Sequence, residues 1–170
     1  MKHSILALLA AATVSACAAT TDGSGPGEWR SAVMQDKIDV NKRSLVALNG
    51  NEKEWPYADI NYIGVGCSSD VGFYFNIKTH NFLNDEGTTR YEVRVDGYDP
   101  IRGRGMSLRD GVFIRGANAK LVAKQIASVP QNSYIHIRVY AWDGEISSDS
   151  MHVYDHNGSV NLTMQRCNVS

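Results

Sequence analysis

Apolar and polar residues alternate with a period of two along several short stretches of the chain, which is the pattern of half-buried β-strands. The clearest stretches are INYIGVGC (residues 60–67), VGFYFNIK (71–78) and RYEVRVDG (90–97). We predict that the first two form a hairpin around the turn SSD, with Cys67 on its buried face. Shorter strands are predicted over residues 29–35, 43–49 and 112–115.

One segment has the three- and four-residue spacing of a helix instead. Residues 117–127 carry lysines on one face and apolar side chains on the other, namely Ala119, Val122, Ala123 and Ile126. Asn118 is the predicted N-terminal cap, and Pro130 lies just beyond the predicted end. This pattern is typical of an amphipathic helix packed against a sheet.

Three further segments are less regular. Residues 79–89 are predicted as a loop, and residues 98–111, with one proline and several glycines, as an irregular crossing. Residues 159–166 fit two structures. Val160, Met164 and Cys167 would share a helical face, whereas Val160, Leu162 and Met164 would share a strand face.

The last hairpin, within residues 134–155, is constrained by its apolar pattern. Ile135 and Ile137 share a face with Met151 and Val153, and opposed residues always share a face, so the loop must hold an odd number of residues. We predict a three-residue loop, Asp143 to Glu145, which places Ile137 opposite Met151 and Ile135 opposite Val153. The other face then pairs Tyr134 with Tyr154 and His136 with His152.

The predicted pair His136 and His152, with Asp155 and His156 nearby, raises the question of a transition-metal site. Such a site needs two or three imidazole or carboxylate ligands that converge on one point. Histidines on an exposed strand face are more often solvated or stacked on tyrosines. We therefore predict no metal ligands and no cofactor.

Composition supports a mainly β protein, because the chain holds 15 glycines, 8 tyrosines and many short apolar runs. We predict a mainly β, antiparallel, sandwich-like single domain over residues 29–170 with one short α-helix at about 117–127. Without residues 1–16 the chain has 16 basic and 18 acidic side chains, a formal charge of −2. We expect no nucleic-acid partner, because the chain has no basic excess.

The N-terminus has the features of an export signal. Lys2 precedes an apolar run from Ile5 to Ala16 that is too short to span a bilayer. The sequence VSAC at residues 14–17 resembles the lipobox of bacterial lipoproteins. The resemblance implies a signal peptide at residues 1–16 and a Cys17 that carries a diacylglycerol and, on its new amine, a fatty acid such as palmitate. An ordinary secretory signal is the alternative.

A lipidated Cys17 would anchor the chain to a membrane through its acyl chains, each buried methylene contributing roughly 0.8 kcal/mol. Ala18 follows the cysteine, whereas an aspartate there would resemble an inner-membrane retention signal. We therefore expect the protein to be anchored in the bacterial outer membrane, facing the periplasm. Residues 17–28, rich in glycine and small polar residues, are the predicted flexible tether.

Cys67 and Cys167 are the two cysteines that remain. In an oxidising compartment, an even pair most simply forms a disulfide. Two buried free thiols or metal ligands are the alternatives, although neither cysteine has a partner at zinc-site spacing.

The sequence lacks the nucleophile elbow, the phosphate-binding loop and the dinucleotide fingerprint of common enzyme classes, and we predict no catalytic residues. Arg102, Arg104 and Arg109 in the glycine-rich segment could grip a carboxylate or phosphate, or could belong to a mobile, solvated loop. Asp96 is predicted as a turn residue after its strand.

The order of these motifs is similar to that of the VasI/TagO-like group of exported proteins associated with type VI secretion. The motifs are a Trp near the mature start, a strand that ends in Cys67, YEVRVDG, a helix that leads into SYIHIRVYAWDGE, and a final cysteine. Met106 stands where an aromatic residue is expected in that group. The resemblance implies an accessory role in assembly of a secretion machine.

Together these patterns predict a lipid-anchored cell-envelope protein that acts as a non-enzymatic binding or accessory module. Its expected partner is another envelope protein or the cell wall. The alternative is a periplasmic inhibitor or small-ligand-binding lipoprotein that uses the arginine-containing segment.

Overall fold

The computed structural model describes residues 28–35, 43–53, 57–81, 83–155 and 157–169. The predicted signal peptide, Cys17 and all but the last residue of the predicted tether lie outside the described residues. The described strands are β1 (Trp29–Gln35), β2 (Arg43–Gly50), β3 (Ile60–Ser68), β4 (Gly72–Thr79), β5 (Asn84–Val95), β6 (Ile101–Arg109), β7 (Gly111–Arg115), β8 (Tyr134–Tyr140) and β9 (Ile146–His152). The described helices are α1 (Gly116–Ser128) and α2 (Ser159–Arg166).

All nine strands belong to one sheet in the order β1-β2-β3-β4-β7-β6-β5-β8-β9, and every neighbouring pair is antiparallel. The predicted mainly β, antiparallel fold with a short helix is therefore confirmed. The predicted hairpin of β3 and β4 is also confirmed, with Val65 opposite Phe75 and Cys67 opposite Phe73.

The single sheet curls so that β9 and the residue after it approach β1, β2 and the segment before β3. The indole Nε1 of Trp29 donates to the carbonyl of Val153 at 3.1 Å. The amide of Asn49 donates to the carbonyl of His152 at 2.8 Å. Because the inward faces then meet, residues from all nine strands and from both helices share one apolar core.

Helix α1 covers this core with the four apolar side chains that its spacing predicted, all of them buried. Its start differs from the prediction, because Arg115 is the N-cap residue and makes no side-chain capping bond. Asn118 instead donates to the hydroxyl of Tyr91 at 2.8 Å and so ties the helix to β5. The helix ends before Val129 and Pro130, as predicted.

The prediction of an irregular crossing over residues 98–111 was wrong, because β6 is a regular strand paired with β5 and β7. Its glycines make room for neighbouring side chains. A Cβ on Gly103 would lie 2.7 Å from the Tyr91 hydroxyl, and one on Gly105 would lie 2.6 Å from Val112 Cγ1. The loop predicted over residues 79–89 is also shorter than expected, because β5 begins at Asn84.

The register of the β8–β9 hairpin differs from the prediction by two residues. The loop spans residues 141–145, Tyr140 lies opposite Ile146, and Ile135 lies opposite Met151. The odd loop length was correct, since the apolar pattern fixes which face each residue occupies. The pattern does not fix the loop length itself, which depends on bonds such as Ala141 N–H to the Glu145 carbonyl at 2.8 Å.

Residues 159–166 adopt the helix of the two structures that the sequence allowed. Val160 and Met164 are buried in α2, and Leu162 is exposed. Cys167 follows the helix and is bonded to Cys67 on β3, with the two Cα atoms 5.9 Å apart. The disulfide joins positions 100 residues apart in the sequence.

Candidate functional site

Three neighbouring strands, β6, β5 and β8, carry arginines on their outer surface. Because side chains alternate along a strand, the buried residues Tyr91, Val93 and Val139 leave their sequence neighbours pointing outward. We call the resulting surface the arginine face, and its members are Arg90, Arg94, Arg102, Arg104, Arg138 and Glu92.

Glu92 is the one carboxylate among these residues. Arg102 Nη2 donates to Glu92 Oε1 at 2.8 Å. This hydrogen bond, together with the charges of Arg102, Arg138 and Arg94, lowers the pKa of Glu92 from its ordinary value. Five guanidinium groups and one carboxylate leave the arginine face with four positive charges in excess.

The other four arginines are not paired with carboxylates in the described part of the chain. The Arg90 guanidinium lies 4.6 Å from the centre of the Tyr140 ring. Arg104 Nε donates to the Thr88 hydroxyl at 3.1 Å. The side chains of Arg94 and Arg138 make no hydrogen bond to any described residue. Guanidinium groups in this state can donate to an external carboxylate or phosphate.

One end of the arginine face is aromatic. Trp142, in the β8–β9 loop, is 73% exposed, and Ile146 beside it is also exposed. With Arg90, Arg104 and Tyr140, these side chains line an open groove of about 370 Å³. A neighbouring groove of about 450 Å³ runs between Arg102, Arg104 and Tyr140. The end near Trp142 therefore offers both cationic and flat apolar contacts.

The opposite end of the arginine face is held by hydrogen bonds around Asp96. Its carboxylate accepts the Tyr134 N–H at 2.9 Å and lies 2.9 Å from His136 Nε2. The hydrogen bond to His136, and then the one from Tyr134, lower the pKa of Asp96 from its ordinary value. Asp96 thus connects β5 to β8, a role that its prediction as a turn residue did not include.

The predicted pairing of His136 with His152 was wrong. His136 lies opposite Ser150, and His152 lies opposite Tyr134, whose ring centre is 4.1 Å from its own. The predicted pair of Tyr134 and Tyr154 is excluded by the same register. Among the described residues, which do not include His156, no three His, Cys, Asp or Glu side chains converge as a metal site would require.

The sequence identified only part of the arginine face. Arg102 and Arg104 belong to it, whereas Arg109 lies past its end, opposite Asn84 and with a φ of 56°. Arg90, Arg94 and Arg138 were missed as site residues. The signal for Arg90 and Arg94 was present, because the alternation of the predicted strand in residues 90–97 already placed them outward.

A separate polar cluster links β9 to the segment that follows β2. The side chain of Asp149 on β9 is only 2% exposed, although it is ionisable. It accepts hydrogen bonds from Asn51 Nδ2 at 2.7 Å and Lys53 Nζ at 2.6 Å. The Ser150 N–H also donates to it at 2.9 Å. These bonds join β9 to the segment after β2, so the cluster has a structural role.

No family model, no curated protein and no solved structure matches this chain. None of the helices within the described residues is long and apolar enough to cross a bilayer. The arginine face, with its excess of positive charge, is therefore the candidate functional site.

Proposed function

We propose that this protein is a lipid-anchored, non-enzymatic binding module of the bacterial cell envelope and that the arginine face is its binding surface. The observation that carries the proposal is the grouping of five arginines on three adjacent strands of a chain whose overall charge is slightly negative. The rest of the chain therefore carries a net negative charge, and an excess of positive charge is concentrated on this face.

The form of the surface supports an extended partner. Both grooves at the Trp142 end are open, and the long, exposed side chains of Arg90 and Arg104 line both of them. Charged groups on such a surface steer an oppositely charged partner and fix its orientation. An envelope partner with acidic groups fits this surface.

The proposed location rests on the lipobox-like VSAC and on Cys17, which would carry the lipid and hold the protein to the outer membrane, facing the periplasm. The bond between Cys67 and Cys167 supports an oxidising compartment. The sequence resemblance to VasI/TagO-like proteins supports a more specific role as an accessory in secretion-machine assembly.

Chemical crosslinking in intact envelopes tests this function. The wild-type chain is compared with Cys17→Ala and with an Arg94→Gln/Arg138→Gln double variant. The side chains of these two arginines make no hydrogen bonds to described residues, so the fold should persist. We expect a specific crosslinked partner that is lost from the double variant, and release of Cys17→Ala from the membrane fraction.

The matched control is Lys120→Gln/Lys124→Gln, which removes the same charge from the exposed side of α1. It should leave the crosslinked partner unchanged. Equal loss of the partner from both double variants would show that net charge alone matters and would reject the arginine face as the binding surface.

A periplasmic inhibitor or small-ligand binder is the second candidate, favoured by the groove between Arg102, Arg104 and Tyr140. A small dicarboxylate in that groove would raise the melting temperature of the wild-type chain in proportion to its occupancy. Arg104→Gln should remove this increase. A panel of dicarboxylates and phosphates without any effect would reject this alternative.

A further inference from the structure

We propose that the ligand of the arginine face is an anionic polysaccharide, whose acidic groups contact the arginines while a sugar ring lies against Trp142. This inference rests on the proposed function and specifies the chemical class of its partner. It follows from the size, the composition and the orientation of the arginine face.

The size of the face suits a polymer. From Arg90 to Arg94 the outward positions of β5 extend about 13 Å, and the three strands together are about 10 Å wide. Guanidinium groups are distributed over this whole area, on all three strands. A single small anion could contact only some of them, whereas a chain with repeated acidic groups could contact several at once.

The composition of the face favours a saccharide over a protein. Protein–protein interfaces are enriched in arginine, but glutamate is depleted there and their cores hold few charged groups. Here the centre of the face holds the carboxylate of Glu92, bonded to Arg102 and next to Arg138. The most exposed aromatic side chain beside the face, Trp142, lies at one end together with the exposed Ile146. An exposed indole beside guanidinium groups offers a flat apolar surface to the C–H groups of a sugar ring and cations to its acidic substituents.

The orientation of the face favours a ligand other than the anchoring membrane. The proposed tether enters the domain at Trp29, which bonds to Val153 near the start of β8. Trp142 lies beyond the other end of β8, a seven-residue strand about 23 Å long. The aromatic end of the face is therefore the end remote from the point where the anchored segment enters.

Fluorescence anisotropy with labelled polygalacturonate, a carboxylated polysaccharide, tests the inference on the full chain purified with its lipid in detergent. Labelled polyglutamate, an acidic polypeptide, is the parallel probe. Neutral dextran and mixed micelles containing phosphatidylglycerol serve as competitors. We expect the wild type to bind polygalacturonate, with no competition by dextran and little by the anionic micelles.

Two variants separate charge from stacking. Arg90→Gln/Arg104→Gln should weaken the binding of both labelled polymers at least about tenfold, because two charge-assisted contacts are lost. Trp142→Ala should weaken the binding of polygalacturonate about fivefold and the binding of polyglutamate less than about twofold, because only the sugar stacks on the indole. Lys120→Gln/Lys124→Gln should bind like the wild type.

Several results would overturn the inference: no binding of polygalacturonate, equal effects of Trp142→Ala on the two polymers, or efficient competition by anionic micelles. Tighter binding of polyglutamate than of polygalacturonate would point to an acidic protein partner. In that case arginine-dependent crosslinking in envelopes would still support the proposed function, so the two proposals can fail separately.

Discussion

Strands β5 and β8 have two faces with opposite properties, although the residues of the two faces alternate along the same chain. The inward residues are buried and apolar, namely Tyr91, Val93, Val95, Ile135, Ile137 and Val139. The outward residues are polar or charged, namely Arg90, Glu92, Arg94, His136, Arg138 and Tyr140. Removal of apolar area from water contributes about 25 cal/mol per Å², whereas an exposed ion pair contributes at most about 1 kcal/mol. The inward face therefore stabilises the fold, and the outward face is available for binding.

The largest expected effect is on the free energy of unfolding and comes from the disulfide. Loss of the disulfide in a Cys67→Ser/Cys167→Ser variant should lower the free energy of unfolding by about 4 kcal/mol, because the bond closes a loop of about 100 residues. Urea unfolding followed by circular dichroism measures this change. An unchanged midpoint, with the wild-type disulfide verified by thiol titration, would contradict the prediction.

The comparison of the two faces is sharpest at adjacent residues. Ile137 is 2% exposed, so Ile137→Ala should cost about 3 kcal/mol through lost burial and a cavity. Arg138 is exposed, so Arg138→Ala should change the free energy of unfolding by less than about 0.5 kcal/mol. The same urea series measures both variants, and similar costs at the two positions would contradict the division into faces.

Asp149 is the charged exception among the inward positions of β9. Asp149→Ala should cost about 2 kcal/mol, because it leaves the Asn51 amide and the Ser150 N–H without their acceptor. Lys53→Gln should cost less than about 1 kcal/mol, since the Lys53 side chain is 52% exposed and water can replace its contact. Equal costs for the two variants would show that the ion pair, and not the buried hydrogen bonds, stabilises the contact.

The smallest expected effect concerns Asp96 at the exposed end of the arginine face. Its lowered pKa means that it stabilises the fold at a pH above its unfolded value of about 3.9, and that this stabilisation is lost as the pH falls through the lower folded value. Asp96→Asn should therefore reduce stability by less than about 1 kcal/mol at about pH 6, and by progressively less on acidification. Thermal unfolding across this pH range measures the difference, and a difference that grows on acidification would contradict the assigned sign.

Much of the fold could be predicted because it depends on local patterns. Period-two alternation located β3, β4 and β8, and the three- and four-residue spacing located α1. The β6 strand was missed because Gly103 and Gly105 resemble turn residues in a sequence. Only the neighbouring Tyr91 and Val112 side chains explain why glycine is needed there.

The candidate site shows the same division. Arg102 and Arg104 were recognised from one short segment, but the full arginine face needs strands that are distant in the sequence to lie side by side. Total charge gave no indication of a cationic surface, because composition averages over the whole molecule. The β8–β9 register also changed the site, since it moved His152 away from His136.

By itself, the sequence determined the mainly β class and the face that each residue of the predicted strands occupies, since both follow from alternation. Strand order, the two-residue register of the last hairpin and the grouping of the arginines were decided only by the tertiary structure. The physical reason is that these features depend on contacts between residues far apart in the chain, such as Trp29 with Val153 and Asn51 with Asp149. A local sequence pattern does not indicate which distant residues will make such contacts.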